Sequence, residues 1–309
     1  MSSAFINHQA SDNFNKARTQ AMISRILNVL NPHNAEMLSL QDVKDAVRPR
    51  GETYRGLQVV DVDRIVGSEG RYHDFNRGFL PKREELRNRW TRVDKAHLQD
   101  IVLPPVHLYE IGGVYFVRDG NHRVSVARTQ GMRAIDAEVI SLNSAITLDP
   151  DITRDSLEKK VIAYEKEQFY KQTRFNELIP GYNLQFTATG RYQEILNHIH
   201  VHKYFINQEA PHEITFDDAL ISWFRTVYEP VVTVVREEHL LARFPGRTEA
   251  DLYTWLVKHW HELKEKYGDS FTVKDAALDY SEKHGFSVGR RIIEPLKRVL
   301  KGVLRIHRR

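Results

Sequence analysis

The segment 119–123, Asp-Gly-Asn-His-Arg, combines the residue types that phosphate binding requires. It follows the apolar run 114–117 and precedes a helical apolar pattern, so the sequence predicts a strand, a glycine turn and a helix start. The free N–H groups and partial positive charge of a helix N-terminus attract phosphate. Gly120 lets the backbone approach a ligand closely. His122 and Arg123 add donors within the first helical turn.

The residues around this turn also have a purely structural interpretation. Asp119 is placed to hold Mg²⁺ or to accept a proton from an attacking hydroxyl. In the structural alternative, Asp119 and Gly120 only form a turn and Asn121 only caps the helix. The strand–turn–helix order favours a bound phosphate or nucleotide. P-loop, Rossmann, zincin and nucleophile-elbow patterns are absent from the sequence.

A glycine-containing loop at 67–79 is the second candidate region. Long charged loops in compact domains are often functional. We expect this loop to cover the nucleotide, its serine and two arginines contacting phosphate and its histidine or aspartate orienting a nucleophile. The alternative is a surface loop with ordinary charges. The residues in question are Ser68, Arg71, His73, Asp74 and Arg77.

Composition excludes several classes of function. The chain has 309 residues, no cysteine and a formal net charge of +4. Without cysteine there is no disulfide framework, no cysteine-based metal site and no thiol catalysis. No stretch approaches the ~20 apolar residues of a membrane span, and the first residues lack a signal-peptide pattern. We therefore expect a cytoplasmic protein whose mild positive charge permits an anionic partner.

Hydrophobic periodicity predicts an α+β domain, preceded by N-terminal helices and followed by a mainly helical domain. From residue 57 the order is strand, loop, helix, hairpin, turn, helix and strand. The hairpin turns at Gly112-Gly113. The predicted segments are helices at 14–30, 39–47, 82–93 and 121–131 and strands at 57–62, 106–109, 114–117 and 135–140.

After about residue 149 the pattern is helical. Thr215, Thr248 and Thr272 each precede an acid by three residues, which is the pattern of a helix N-cap. The helices that follow the second and third are expected to end at Gly268 and Gly285. We therefore predict an N-terminal helical extension at 1–55, a nucleotide-binding domain at 56–148 and a helical domain at 149–309.

Two features of the helical half have alternative interpretations. His198, His200 and His202 would converge on a metal ion if they lay on a strand, whereas on a helix they diverge. The preceding periodicity favours a helix. Residues 295–309 form a basic amphipathic pattern, which binds nucleic acid, an acidic partner or an anionic surface. The alternative is a terminal helix that buries its apolar face on the domain.

The segment 119–123, with the Val-Ser-Val-Ala that follows, resembles the second conserved box of ParB-type N-terminal domains. The turn is also similar to that of free-serine kinases on the same fold. Segments 59–65, 103–106 and 131–135 match further strands of that fold in order. The resemblance covers residues 57–142 and implies a ParB/sulfiredoxin fold that binds CTP, ATP or ADP with Mg²⁺ at the helix start. The whole layout resembles a bacterial family of unknown function that adds a helical domain.

The resemblance has limits that narrow the expected function. Asn121 and His122 stand where chromosome-partitioning ParB proteins have an acid and an arginine, so CTP specificity does not follow. Sulfiredoxin chemistry needs a cysteine that is absent. We expect a regulatory, DNA-associated nucleotide-binding protein. The alternatives are a nucleoside triphosphatase, a small-molecule kinase with Asp119 as base, and a non-enzymatic interaction module; a homodimer is one expected assembly.

Overall fold

The computed structural model describes residues 2–27, 36–209, 211–268 and 270–286. The chain divides into two compact units, Met1–Val161 and Ile162–Arg309. A six-stranded mixed sheet lies in the first unit and helices make up the described part of the second. The expected α+β class is therefore confirmed. The basic segment 295–309 lies outside the described residues, and the predicted boundaries at 55 and 148 stay predictions.

The first unit is built on a sheet with strand order β1-β3-β5-β4-β6-β2. β1 pairs with β3, β3 with β5 and β4 with β6 in parallel, while β4–β5 and β2–β6 are antiparallel. The elements are α1 Ser3–Leu27, β1 Leu38–Ser39, α2 Leu40–Val47, β2 Glu52–Asp61, β3 Ile65–Ser68, α3 Arg87–Leu98, β4 Val106–Ile111, β5 Val114–Asp119, α4 Asn121–Thr129 and β6 Ala134–Leu142.

The four strands predicted from alternation are present and each is longer than predicted, the helix predicted at 82–93 spans Arg87–Leu98, and the strands β1 and β3 were not predicted. The strand predicted at 57–62 begins at Glu52, because the bulge at Tyr54/Gly56 lets pairing with β6 continue past Gly56. Gly67 was predicted to open a loop, yet it lies in β3. A Cβ there would come within 2.4 Å of the carbonyl oxygen of Leu38. The close contact between β3 and β1, and not a turn, therefore explains why position 67 is a glycine.

One face of the sheet packs against α1, α3 and α4. Phe14 of α1 is fully buried and meets Trp90 of α3 edge-on, with ring centroids 5.6 Å apart. The buried carboxylate of Asp94 accepts hydrogen bonds from Asn13 Nδ2 at 2.8 Å and Gln130 Nε2 at 2.7 Å. The segment predicted as an N-terminal extension therefore contributes to the core that supports α4.

α5 spans Arg154–Thr173, and its part from residue 162 onwards belongs to the second unit. The helices of the second unit pack around aromatic side chains such as Trp223, Tyr228 and Tyr253. The three predicted threonine caps are confirmed, and the Thr248 and Thr272 caps are reciprocal capping boxes. The remaining helices are α6 Phe175–Leu178, α7 Arg191–Glu209, α8 Phe216–Trp223, a π-helical turn Phe224–Tyr228, α9 Glu229–Glu237, α10 Glu249–Tyr267 and α11 Val273–His284.

The three closely spaced histidines lie on α7 and point to different neighbours. His198 Nδ1 lies 3.1 Å from the Tyr253 hydroxyl, and His202 Nε2 lies 3.0 Å from the Ser222 hydroxyl. The helical interpretation is thus the one the structure shows. Among the described residues, no group of three histidine or acidic side chains is arranged to hold a metal ion. No described helix has the length and apolar character to cross a membrane.

The packing of α1 predicts that Phe14→Ala lowers the free energy of unfolding by about 3–5 kcal/mol, because it leaves a cavity beside Trp90. The matched control is Phe5→Ala on the same helix, where the ring is 55% exposed and little stability is lost. Urea unfolding followed by tryptophan fluorescence measures both. Equal losses would show that α1 does not belong to this core.

Candidate phosphate-binding site

A left-handed glycine joins β5 to α4 and fixes where the helix begins. Gly120 has φ 104° and ψ 19°, and the carbonyl of Gly120 accepts the first helical hydrogen bond, from Val124 N–H, at 3.0 Å. A Cβ on Gly120 would come within 2.6 Å of a methyl carbon of Val106. Any other residue would therefore be strained in its backbone and also clash with β4. The predicted strand–turn–helix unit is confirmed as a fold element.

Two buried polar atoms stand without partners at the start of α4. Oδ1 of Asn121 and Nδ1 of His122 are enclosed, and neither meets a hydrogen-bond partner among the described residues. The two side chains are 7% and 5% exposed. Leaving a buried polar atom unpaired costs about 1–3 kcal/mol. Each such atom in a native structure calls for an explanation, and a bound ion or water is one of them.

His122 lies in a cationic environment. Burial, followed by the charges of Arg89 and Arg71, lowers the pKa of its imidazole to about 4, against a smaller opposing effect of Asp74. The ring also contacts Phe75 edge-on, at 5.4 Å between centroids. The imidazole is therefore neutral at pH 7, and the positive charge around it comes from the two arginines.

Arg123 is held by the protein itself. Its Nη1 donates to the carbonyl oxygens of Pro104 and, at 2.8 Å, Pro105, while Nη2 donates to Asp119 Oδ2 at 2.6 Å. Its side chain is 14% exposed, whereas that of Asp119 is 60% exposed. Burial lowers the pKa of Arg123, partly offset by Asp119. Arg123 thus anchors the 104–105 loop beside the turn and presents Asp119 at the surface.

The predicted loop reaches the same site from β3. Ser68 is fully buried; its hydroxyl donates to the Val117 carbonyl at 3.1 Å and accepts from the Arg71 N–H at 3.3 Å. Arg71 then pairs with Asp74 at 2.9 Å. Ser68 therefore ties the loop to β5, and this places Arg71 close enough to affect His122. Exposed His73 stacks on Tyr72 at 4.3 Å between ring centroids.

Arg77 is not brought to the turn. Its guanidinium donates to the Pro150 carbonyl at 3.3 Å and is attracted to Asp151. The positive charge of Arg77 contributes to the lowered pKa of Arg128, whose Nη2 donates to the carbonyls of Val62 and Ile65. The far end of the predicted loop is thus part of a structural contact with the segment after β6.

Arg89 belongs to the site although the sequence did not single it out. It is exposed on α3, and its charge lowers the pKa of both His122 and Arg123. The only sequence signal is an arginine run along α3 at positions 87, 89 and 92. Which member of that run faces α4 depends on how the two helices pack.

An apolar cleft lies beside this cluster. It has a volume of about 290 Å³, at the lower end of ligand-binding pockets. Arg123 and Pro104 lie at its lining, together with His97, Val126, Ala127, Ile135 and other apolar side chains. The arrangement therefore offers a cationic, polar region next to an apolar one.

The site suits anion binding better than a dedicated metal centre. Asp119 is its exposed carboxylate, and one of its oxygens is occupied by Arg123. Mg²⁺ is commonly held by one or two carboxylates together with substrate phosphates. Asp119 fits that limited role, with phosphate oxygens supplying the remaining ligands.

No family model matches the sequence, and no curated protein matches it. A search of solved structures found similarity to a Pnob8-like ParB-N domain, with 15% sequence identity over 75% of this chain and 98% of that chain. The TM-score is 0.21, which is too low to assign a fold. The function therefore has to be argued from the site itself.

The geometry of the turn predicts that Gly120→Ala lowers the free energy of unfolding by about 2–4 kcal/mol, through left-handed strain and the contact with Val106. Gly131→Ala is the matched control: Gly131 also has a positive φ, of 71°, but a Cβ there meets no atom within 4 Å. We expect that variant to lose about 1 kcal/mol. Urea unfolding of both checks the difference; equal losses would contradict the close contact.

The low pKa of His122 predicts that the free energy of unfolding depends on pH. The pKa of His122 in the folded chain is about 4, below the ordinary histidine value of 6.5, so the unfolded chain binds the proton first as pH falls. The free energy of unfolding should decrease by about 3 kcal/mol between pH 6.5 and 4 through this residue. Comparing denaturation of wild type with His122→Gln isolates the effect, and His73→Gln is the exposed control. A slope unchanged in His122→Gln would contradict the assignment.

Proposed function

We propose that the chain binds a nucleotide through its phosphates at the start of α4. The observation that carries this proposal is the pair of buried, unpartnered atoms on Asn121 and His122, at a helix N-terminus flanked by Arg71 and Arg89. The helix end, the glycine backbone and two arginines all favour an anion. The resemblance of segment 119–123 to ParB-type domains agrees with the same ligand class.

Each group has a stated part in the proposed complex. A neutral imidazole carries one N–H. We propose that it lies on Nδ1 of His122 and donates to a phosphate oxygen once the ligand has displaced the side chains that enclose this atom. Oδ1 of Asn121 is an acceptor and would suit a ribose hydroxyl after the same displacement. Arg89 and Arg71 neutralise the phosphate charge, and Asp119 shares Mg²⁺ with it. The neighbouring 290 Å³ cleft favours a nucleotide over free phosphate because it offers an apolar surface to the base.

We favour ligand binding over phosphotransfer because both oxygens of Asp119 are assigned in the proposed complex. Oδ2 accepts a charge-assisted hydrogen bond from Arg123, and the other oxygen would share Mg²⁺ with the phosphate, whereas a catalytic base has to reach the substrate hydroxyl with a free oxygen. We therefore propose a regulatory nucleotide site, with kinase activity as the alternative. DNA association through residues 295–309 stays a prediction.

The test is a thermal-shift screen of the full chain with CTP, ATP, ADP, GTP and tripolyphosphate, each with Mg²⁺, and with nucleosides as controls. A ligand that binds only the folded state at 100 times its Kd stabilises it by about 2.7 kcal/mol, which raises the Tm by about 5 °C or more. Arg89→Ala should weaken binding about 10- to 100-fold, because it removes a charged contact. Arg123→Ala also perturbs the 104–105 loop and is less specific.

Arg92→Ala is the matched control, because Arg92 is also exposed on α3 but does not influence His122 or Arg123. It should keep the wild-type shift. A shift that survives both Arg89→Ala and His122→Ala would place the ligand elsewhere, and no shift with any phosphate compound would contradict nucleotide binding. ADP release measured with and without serine or a sugar distinguishes binding from phosphotransfer.

A further inference from the structure

The sheet of the first unit has one long open edge. Its outermost strands are β1 and β2. β1 consists of Leu38 and Ser39, both buried. β2 has ten residues, pairs only with β6 among the described strands, and is exposed except at Gly56 and Val60. The unpaired backbone groups of such an edge can continue the sheet with another strand.

The side chains of β2 favour pairing rather than oppose it. Tyr54, Leu57 and Val59 are 66%, 65% and 74% exposed. Natural edge strands prevent association with proline, lysine or a bulge. The bulge of β2 lies at Tyr54/Gly56, and from Gly56 to Asp61 the strand has a regular register with β6 and contains no proline and no lysine. This run is therefore a regular, partly apolar edge that remains unpaired in the described chain.

We propose that β2 pairs with β2 of a second copy of the chain, antiparallel and centred on Gln58. In this register Leu57 lies opposite Val59 of the partner subunit, and the two-fold symmetry repeats the contact. Both residues lie on the same face, since their partners on β6 are Glu138 and Asp136. Two exposed apolar side chains per copy are thereby covered.

Charge complementarity supports the same register. Arg55 and Asp61 are both exposed. Arg55 is the extra residue of the bulge between Tyr54 and Gly56, just before the regular run. Centring on Gln58 brings it to the end of the pairing beside Asp61 of the partner subunit, twice by symmetry. Centring on Leu57 instead would place Arg55 opposite a valine, and centring on Val59 would place Leu57 opposite an aspartate. In this register the apolar positions of one copy lie opposite apolar positions of the other, and positively charged positions lie beside negatively charged ones. An isologous interface requires such self-complementarity, because both subunits contribute the same surface.

The experiment is sedimentation velocity of the full chain over a concentration series. Wild type should form a dimer. Arg55→Glu and Asp61→Lys should each raise the dimer dissociation constant about tenfold, because each sets like charges opposite each other twice. The double variant Arg55→Glu/Asp61→Lys should return close to the wild-type constant. Circular dichroism checks that Asp61→Lys, which loses an acceptor for the Asp63 N–H, stays folded.

Val59→Lys is an independent test that leaves both charges in place, and it should abolish the dimer. Its control is Val102→Lys, at a valine that is 92% exposed but lies outside β2, which should dimerise as wild type does. A wild-type chain that stays monomeric at every soluble concentration overturns the proposal. So does a dimer that Val59→Lys and Arg55→Glu leave intact, or a double variant that remains as weak as the single ones.

Discussion

The left-handed backbone at Gly120 is the constraint on which the candidate site depends. It turns the chain from β5 into α4 directly above Val106, with no room for a side chain. A helix that began one residue later would move Asn121 and His122 out of their buried positions. The same turn puts Arg123 one helical turn from Asp119, where the two side chains pair. One backbone conformation thus sets the position of each polar group at the helix start.

The rest of the first unit holds that turn in place. α3 packs against α4 and α1 packs against α3, and Trp90 of α3 donates its indole N–H to the hydroxyl of Ser125 at 2.8 Å. From the sheet side, Gly67 lets β3 approach β1, and Ser68 links β3 to β5 and to the following loop. The positions of Arg71 and Arg89 therefore follow from packing at two different elements.

The sequence predicted the elements of this site better than its side-chain contacts. Alternation and glycine positions were sufficient for the hairpin, the turn and α4, and threonine caps were sufficient for the starts of α8, α10 and α11 in the second unit, because these signals are local. Arg89 and the separation of Arg77 from the turn depend on contacts between segments far apart in sequence. Gly67 shows the same limit, since a glycine required by a neighbouring strand looks like a glycine required by a turn.

Electrostatics explain why a neutral histidine suits a cationic site. A protonated imidazole beside Arg71 and Arg89 would add a third charge in a place from which water is excluded, and the low pKa of His122 expresses that cost. In the proposed complex a bound phosphate would reverse the balance, because its negative charge favours protonation of the same ring. The site would then take up a proton with its ligand as the pH falls towards the acid range. Binding and protonation at His122 would thus be linked, because both take place at the start of one helix.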